Sequence, residues 1–502
     1  MEFAIWNNPN RDAVALWEHD GNAVTVGELV DQSNQIARNL RALGLQHGDA
    51  VAMCMKNSAD VYALNFAISQ IGLYLIPVNW HLTPNEVAYI LSDSEAKVVV
   101  CSPELAPLFG PEVSHRFCTG EVAGFAHFDT LKAGTTEPPE GRTAGGIMNY
   151  TSGTTGKPKG VRRPLPPVPP EPIVTAYAMF LLMFGMEPGT GVQLVGSPLY
   201  HTAVLYFSSS ALHLGHQLVV MDKWTPLGML ERIQTYGVTN SHMVPTQFSR
   251  LLNEPTRLDY DVSSLRHMVH GAAPCPTSVK LDMLEWWGDT VYEYYAATEG
   301  GGTMVTPAEW RAHPGTVGKP WQTAEIKIFD DAGTELGPDE VGTVYIKMAQ
   351  GFAYHKDKEK TAKAHNTEGF FTVGDAGYLD ADGYLYLCDR KADMIISGGV
   401  NIYPAEIEAV LITHPRVLDV AVFGIPDDDW GEQVKAVVEA MPSVETGPEL
   451  AKELLDWCAG RLAKYKTPRS IDFVAELPRD PNGKLFKRRL RDPYWEGRDR
   501  AI

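Results

Sequence analysis

The chain has 502 residues, 44% of them hydrophobic, and a chain of this length is expected to form two or more domains with separate cores. Its formal net charge of −19 argues against nucleic acid as a partner, because duplex binding needs a concentrated basic surface. No run of about 18 apolar residues and no signal peptide are found, so we expect a cytoplasmic protein without an integral membrane segment.

The N-terminal segment alternates helix and strand signals. Thr25 and Glu28 form a capping box, and apolar residues then recur at helical spacing until Gly44 ends the helix. The elements that follow are a strand at 50–55, helices near 59–72 and 84–92, and strands at 97–101 and 146–150. This alternation predicts an α/β fold with largely parallel sheets.

The residues after the last of these strands, 151–160, are typical of a loop that holds a polyphosphate. Glycines let the backbone approach an anion, hydroxyl groups donate to its oxygens, and lysines add positive charge. A Walker-type loop is excluded, because Thr151 occupies the position of its first glycine. Pro158 also follows the lysine, where that loop has serine or threonine. The candidate phosphate-binding residues are Thr151, Ser152, Gly153, Thr154, Thr155, Gly156, Lys157 and Lys159. A solvated loop without a ligand is the alternative.

A proline-rich segment, 164–172, comes directly after this loop. Because proline cannot occupy a helix interior, we expect an extended surface spacer beside the site, with a docking segment for a partner as the alternative. Arg162 and Arg163 precede it and either attract an anionic group or are simply solvated. A weak association with a membrane surface and a homodimer both remain open.

Residues 394–502 are predicted to fold as a separate, small unit. The expected elements are a helix at 404–412, strands at 419–424 and 434–440, and a helix that begins at Pro448. Residues 389–393 are interpreted as the hinge region. The cysteines are scattered along the chain without a Cys-x-x-Cys pair, which predicts reduced thiols and no zinc site.

Two segments in the middle of the chain carry candidate site residues. Residues 270–274, His-Gly-Ala-Ala-Pro, form a turn of small residues where the backbone can pack against a flat ring. Residues 292–299 end in Thr298 and Glu299, a hydroxyl donor and a hard oxygen ligand of the kind that Mg²⁺ prefers. An edge strand with a surface threonine and glutamate is the alternative for this second segment.

Two later segments carry charged candidates. Asp375 precedes a predicted hairpin turn at 380–383, and its carboxylate can accept from two hydroxyl groups, while Arg390 can donate in a fork. The alternative is an unrelated surface ion pair. The turn at 477–485 presents Lys484, an ammonium on a long stem that is suited to bridging crowded negative charge.

These segments, in this order, resemble the motifs of the acyl-adenylate-forming superfamily of acyl-CoA synthetases, luciferases and peptide-synthetase adenylation domains. The resemblance spans nearly the whole chain. It implies an α/β fold with a large multi-subdomain N-terminal domain of mainly parallel sheets (1–389), a hinge (390–393) and a small mobile α+β C-terminal domain (394–502). The implied reaction joins a carboxylic acid to CoA through an acyl-adenylate, with ATP and Mg²⁺, and releases AMP and pyrophosphate.

The resemblance also implies roles for individual residues. Those implied for the nucleotide are Gly271, Ala272 and Ala273 in the adenine pocket, Tyr295 packed on adenine, Thr298 at the α-phosphate, Glu299 at the magnesium, and Asp375 and Arg390 at the ribose or phosphate. Lys484 is the implied catalytic lysine, and His201, in a Pro-x-x-His segment, lies near the acyl carboxylate unless it is a core histidine. The loop with Ser397, Gly398 and Gly399 lines the implied pantetheine tunnel.

The chain departs from the family pattern at three positions. Tyr294 and Ala296 stand where the family usually has glycine, and Ala392 stands where many relatives carry a charged hinge residue. These departures bear on the backbone geometry around Tyr295 and on the hinge. They leave the implied roles unchanged.

The substrate is expected to be hydrophobic. The segment 200–210 and the glycines at 300–302 predict a roomy, mainly apolar pocket, which favours a fatty or bulky acid, such as a steroid-derived acid, over acetate. One alternative is an adenylation enzyme that loads a carrier protein, although 202–215 lacks the acidic residue that amino acid substrates require. A luciferase-like oxygenase shares the motifs, and a non-catalytic nucleotide sensor is disfavoured by the presence of Lys484 and Glu299.

Overall fold

The computed structural model describes residues 3–151, 158–189, 191–348, 351–390, 393–479 and 483–496. The predicted α/β fold is confirmed, with a large N-terminal part built on parallel sheets and a C-terminal part with its own sheet. Among the described residues, no helix combines the length and the apolar composition needed to cross a membrane. The hinge residues Lys391 and Ala392 lie outside the described residues.

The first part of the chain forms a parallel sheet in the order β7-β6-β5-β3-β4-β8. Its strands are β3 (Ala50–Cys54), β4 (Tyr74–Pro77), β5 (Val98–Cys101), β6 (His115–Cys118), β7 (Ala126–His127) and β8 (Gly146–Ile147). The helices of this part are α1 (Val26–Ala42), α2 (Ala59–Ser69) and α3 (Pro84–Ser94), and two earlier strands, β1 (Val14–Trp17) and β2 (Ala23–Thr25), join a second sheet. The predicted capping box before α1 is confirmed, and every residue of β3 and β5 is buried, as in a sheet covered on both faces.

Three thiols that are far apart in the sequence meet in this sheet. Cys54 pairs with Cys101, and Cys101 with Cys118, in register on neighbouring strands. All three are fully buried. Burial raises the pKa of Cys54 to about 12, so this thiol stays protonated.

The second region continues with a larger sheet in the order β17-β16-β15-β14-β13-β11-β12-β1-β2. Its elements and those around them are β9 (Asn149–Thr151), β10 (Lys159–Arg162), α4 (Pro170–Leu182), β11 (Val192–Val195), α5 (Thr202–Leu214), β12 (Gln217–Val220), α6 (Pro226–Tyr236), β13 (Asn240–Met243), α7 (Pro245–Leu252), β14 (His267–His270), α8 (Thr277–Trp287), β15 (Val291–Ala297), β16 (Gly300–Val305), α9 (Pro307–Ala312) and β17 (Lys319–Pro320). Within this sheet, the strands β15, β14, β13, β11, β12 and β1 run parallel to one another, whereas β2, β16 and β17 run antiparallel to their neighbours.

Two predictions for this region need correction. The predicted strand at 146–150 divides into β8 and β9, which belong to different sheets. The prediction of an extended segment at 164–172 is wrong for residues 170–172, because α4 begins at Pro170. Pro170 and Pro172 lie in the first turn of the helix. Backbone N–H groups there have no intrahelical acceptor, so the missing N–H of proline costs no hydrogen bond.

The region before the C-terminal part is antiparallel. Its elements are β18 (Ala324–Phe329), β19 (Gly342–Met348), β20 (Ala353–Tyr354), α10 (Lys358–Ala364), β21 (Asp375–Leu379) and β22 (Leu385–Arg390). They form one sheet in the order β18-β19-β21-β22 and another in the order β20-β10-β9, which contains the hairpin of the phosphate loop.

The C-terminal part has its own sheet, in the order β24-β23-β26-β25, with β27 paired to β26. It also has its own hydrophobic core. Its elements are β23 (Ile395–Ser397), β24 (Val400–Ile402), α11 (Pro404–Leu411), β25 (Val417–Asp427), β26 (Gly431–Ala440), α12 (Pro448–Ala459), β27 (Ser470–Val474) and α13 (Lys487–Arg491). Short 3₁₀ turns elsewhere span Ile5–Asn7, Pro103–Leu108, Phe128–Lys132, Arg257–Asp259 and Asp492–Trp495. The predicted helices and strands of this part are confirmed.

Candidate active site

The two ends of the predicted phosphate loop lie side by side. Thr151 ends β9, Lys159 begins β10, and these residues pair in antiparallel register. The loop therefore connects two paired strands and follows a strand end, as the sequence predicts. The candidates Ser152, Gly153, Thr154, Thr155, Gly156 and Lys157 lie outside the described residues.

Lys159 faces a small charged cluster. Its ammonium lies 5.5 Å from the ring centre of Tyr354, and the Tyr354 hydroxyl donates to Glu299 Oε1 at 2.8 Å. Burial and the neighbouring ammonium of Lys360 lower the pKa of Lys159 to about 8, against the opposing charges of Glu299 and Asp357. Two adjacent cations are suited to binding phosphate, and the buried carboxylate beside them is suited to a metal ion that the phosphate also binds. Sequence reasoning missed Lys360, which belongs to no recognisable motif.

Lys360→Met is expected to raise the pKa of Lys159, because the substitution removes an adjacent positive charge. In the wild-type protein, kcat/KM for ATP should fall as pH rises through about 8, where Lys159 loses its charge. In the variant this fall moves to higher pH, while kcat/KM at neutral pH decreases. The pH profile of pyrophosphate release measures both effects. Lys358→Met, at an exposed position on the same helix, is the control, and an unmoved profile in Lys360→Met contradicts the prediction.

Thr298 and Glu299 occupy the turn between β15 and β16. The edge-strand alternative is wrong, because β15 lies between β14 and β16 inside the sheet. Glu299 is only 8% exposed. Among the described residues, no group of three or more His, Cys, Asp or Glu side chains is arranged to hold a metal by itself. A single buried carboxylate beside a phosphate loop instead fits Mg²⁺, which proteins commonly hold through one or two carboxylates and the phosphates of a substrate.

Tyr295, Asp375 and Arg390 form a connected cluster. The Tyr295 hydroxyl donates to Asp375 Oδ2 at 2.6 Å, and Arg390 Nε lies 3.4 Å from Asp375 Oδ1. Asp375 and Arg390 are cross-strand partners on β21 and β22, which explains how the sheet brings them together. Burial, followed by the charge of Asp375, raises the pKa of Tyr295 well above its usual value, so the hydroxyl remains a donor.

The small-residue turn after β14 is tightly packed. A Cβ atom on Gly271 would lie 2.8 Å from the carbonyl oxygen of Tyr294, so only glycine fits there. Ala272 follows with a φ of 68°, in the left-handed region. Next to this turn a buried ion pair of 2.5 Å joins Lys280 on α8 to Glu293 on β15. Ala273, the third predicted residue of the turn, continues the same loop toward α8.

His201 lies at the N-terminal end of α5, beside Tyr200, with ring centroids 4.3 Å apart. Among the described residues, its Nε2 atom is buried without a hydrogen-bond partner. Burial lowers the pKa of His201 to about 3, with smaller contributions from His242, His81 and Lys484. His201 is therefore neutral at physiological pH, and Lys484 is close enough for its charge to act on the imidazole.

The turn that carries Lys484 is anchored by Arg479. The guanidinium donates to both carboxylate oxygens of Asp419 on β25, at 2.5 and 2.8 Å, and to the carbonyl oxygen of Gly483 at 2.6 Å. Gly483 has a φ of 75° and packs against Thr246 of α7, where a Cβ atom would collide. The Arg479 contacts fix the turn within the C-terminal part, and only the packing of Gly483 on Thr246 brings it against the N-terminal part. Sequence reasoning assigned no role to Arg479, because its charged partner Asp419 lies 60 residues away in the chain.

Arg479→Ala is expected to slow adenylate formation by about ten- to a hundredfold, because Lys484 is then less firmly positioned. Arg479→Lys should recover only part of the rate, since an ammonium cannot make the forked contact with Asp419. The rate of pyrophosphate release measures the effect. Arg416→Ala removes an exposed ion pair to Glu453 in the same part of the chain and should leave the rate unchanged. Equal rates in all three variants contradict a positioning role.

Ser397, Gly398 and Gly399 lie at the hairpin between β23 and β24. The two glycines have φ values of 58° and 80°, which match a two-residue hairpin turn that requires positive φ at both positions. A Cβ atom on Gly398 would meet the ring of Trp430. The bare backbone predicted for this loop is thus required by the turn itself.

The predicted room at 300–302 is wrong, because other atoms of the same chain fill it. A Cβ atom on Gly301 would lie 2.4 Å from Ile346 and 3.2 Å from Met348, and one on Gly302 would lie 2.1 Å from the carbonyl oxygen of Tyr295 and 3.0 Å from Trp321. An aromatic cluster lies next to this region, and its members are Phe180, Phe184, Tyr206, Phe207, Tyr294 and Trp321. These rings pack with α5 as part of the hydrophobic core.

Comparison with known proteins covers both parts of the chain. The model of the AMP-binding enzyme family matches residues 3–353, and that of the AMP-binding enzyme C-terminal domain matches residues 406–484. A fatty acid–acyl-carrier-protein ligase of Streptomyces coeruleorubidus is 32% identical over 100% of this chain and 96% of its own length. A long-chain-fatty-acid–CoA ligase of Mycobacterium tuberculosis is 30% identical over 94% of this chain and 93% of its own length.

Solved structures show the same fold. The crystal structure of ATP-bound MatB from Rhodopseudomonas palustris superimposes with a TM-score of 0.86 and 28% sequence identity. The match covers 98% of this chain and 99% of that protein. The similarity thus includes the sheets and turns that carry the candidate site.

Proposed function

The chain belongs to the AMP-binding enzyme family of adenylate-forming acyl ligases, and we propose that it is an acid–CoA ligase that activates a hydrophobic carboxylic acid with ATP. The observation that best supports this is that the fold brings candidates from distant parts of the chain together in pairs. The charge of Lys484 acts on His201, while Glu299 adjoins Lys159 at the mouth of the phosphate loop. Such an arrangement serves in-line displacement at a phosphate.

In the first step an acid oxygen attacks the α-phosphorus of ATP, and the bond to pyrophosphate breaks. Lys484 stabilises the negative charge that gathers on the carboxylate and phosphate oxygens, and Thr298 donates to the α-phosphate. Glu299 would hold Mg²⁺, and the bound ion would neutralise charge on the triphosphate. Lys159, with the remaining residues of its loop, binds the departing pyrophosphate.

Different residues position the nucleotide and the acid in this proposal. Asp375 and Arg390 bind the ribose, and Tyr295 and the turn of Gly271 hold the adenine. Neutral His201 borders the acyl carboxylate without adding a competing positive charge.

In the second step the thiol sulfur of CoA attacks the acyl carbonyl, the bond to the adenylate oxygen breaks, and AMP leaves. This step requires the small C-terminal part to rotate about residues 390–393, so that the loop of Ser397, Gly398 and Gly399 guides the thiol. The domain boundaries at 389 and 394 are part of this proposal.

A hydrophobic acid is favoured by the aromatic cluster beside α5 and by the fatty acid substrates in the names of both curated relatives. A fatty or bulky acid, including a steroid-derived one, is proposed over acetate. The second candidate is transfer of the acyl group to a carrier protein, which the Streptomyces relative supports.

Incubation of the purified protein with Mg-ATP and acids from acetate to long-chain and steroid acids tests the function. Release of AMP and pyrophosphate is measured with and without CoA. Turnover that needs a hydrophobic acid and CoA supports the proposal. Pyrophosphate release that CoA does not accelerate points to a carrier protein, whereas faster turnover of acetate contradicts the proposed substrate class.

A further inference from the structure

A carboxylate on the last strand of the N-terminal part bonds to the first helix of the C-terminal part. Asp389 lies near the end of β22, and Ala405 lies in the first turn of α11. Asp389 Oδ2 accepts the backbone N–H of Ala405 at 3.0 Å, and Oδ1 accepts the backbone N–H of Arg390 at 2.7 Å. The bond to Ala405 therefore crosses the proposed hinge, 390–393.

The start of α11 needs such a partner. The helix begins at Pro404, which has no N–H, and the N-cap residue Tyr403 makes no side-chain capping bond within the described part of the chain. The N–H of Ala405 has no acceptor inside the helix, and the helix dipole favours a negative charge at this end. Asp389 thus caps α11 from the other side of the hinge.

Helix α11 is joined to the helix that follows the lysine turn. Glu408 of α11 forms an ion pair of 2.9 Å with Lys487 of α13, and α13 begins three residues after the proposed catalytic lysine. Gly483 of the lysine turn packs on Thr246 of the N-terminal part. The lysine turn is therefore seated on the N-terminal part in the same arrangement in which Asp389 bonds to α11.

Resting on the proposed function, we propose that Asp389 is a positioning residue. Its bond to Ala405 is a clasp that holds the C-terminal part in the orientation for adenylate formation and opens when this part rotates for thioester formation. Because the two residues lie on opposite sides of the hinge, the rotation separates them. A hydrogen bond made in only one of two orientations shifts the balance toward that orientation. Loss of the clasp therefore slows the first step relative to the second.

The test measures the two steps separately in Asp389→Ala. The first is single-turnover pyrophosphate release, with enzyme in excess over dodecanoate and with saturating Mg-ATP, and the second is thioester formation from supplied dodecanoyl-adenylate and CoA. We expect the first rate to fall and the second to rise, so that their ratio changes by about tenfold, as for one charge-assisted hydrogen bond. Asp389→Asn keeps an acceptor oxygen without the charge and should change the ratio by about threefold.

Ala405→Pro removes the donor instead of the acceptor, and proline is tolerated in the first turn of a helix. It should change the ratio in the same direction. An unchanged ratio in this variant would mean that Asp389 acts only through Arg390 and would overturn the clasp. So would a raised KM for ATP with both rates unchanged at saturating ATP in Asp389→Ala. Equal slowing of both steps in Asp389→Ala would indicate a general loosening and overturns it as well.

Asp382→Ala is the matched control, because Asp382 is an exposed carboxylate in the turn that precedes β22. It should leave both rates unchanged, and the same change of ratio in this control would overturn the clasp as a general effect of charge. A wild-type protein that releases no pyrophosphate with any acid from acetate to steroid acids refutes the proposed function itself. That result is distinct from activity with an unchanged ratio.

Discussion

Lys484→Ala is expected to slow acyl-adenylate formation by about a hundred- to a thousandfold, because its ammonium stabilises charge that develops only in the transition state. The side chain is partly exposed on a turn, so the fold should remain intact. Transfer of a preformed acyl-adenylate to CoA should be largely unaffected, since that step has no pyrophosphate to expel. Single-turnover pyrophosphate release and thioester formation from supplied acyl-adenylate measure the two steps separately.

Arg489→Ala is a matched control for this variant. Arg489 is exposed, lies on α13, shortly after Lys484 in the chain, and packs over the Phe486 ring at 4.7 Å. Its removal changes the net charge by the same amount and should leave adenylation unchanged. An unchanged rate in Lys484→Ala, or an equal loss in both variants, would contradict the catalytic role of Lys484.

Glu299→Gln should lower kcat by about a hundred- to a thousandfold and raise the Mg²⁺ concentration needed for half-maximal rate. The substitution keeps the size of the side chain and an oxygen that can accept from Tyr354, but it removes the negative charge that holds the metal. A magnesium titration of pyrophosphate release at fixed ATP measures the effect.

Tyr354→Phe separates the charge of Glu299 from its orientation. The carboxylate is retained and loses only the hydrogen bond of 2.8 Å, so we expect a loss of no more than about tenfold. If Glu299→Gln kept the wild-type magnesium dependence, Glu299 would not be a metal ligand.

Short contiguous motifs were the most predictable part of the site. Thr151 and Lys159 flank one loop, and Thr298 and Glu299 share one turn, so their proximity follows from local chain geometry. The capping box of α1 and the turn of Gly398 are equally predictable from the sequence, because hydrogen bonds and φ angles over a few residues determine them.

Contacts across the fold were less predictable. Nothing in the sequence around Lys360 or Arg479 indicates that these cations adjoin Lys159 and anchor the turn of Lys484. The glycines at 301 and 302 suggested an open pocket, yet Met348 and Trp321 occupy the space. A glycine shows that a side chain is absent at one position, but not which other side chain takes its place.

The sequence by itself determined the α/β architecture, most element positions and the identity of the phosphate, metal and catalytic candidates, because periodicity and turn chemistry act locally. Only the folded structure shows that Cys54, Cys101 and Cys118 meet and that Arg479 bonds to Asp419. Those contacts depend on strand order and on the packing of segments distant in the chain, which no local pattern specifies.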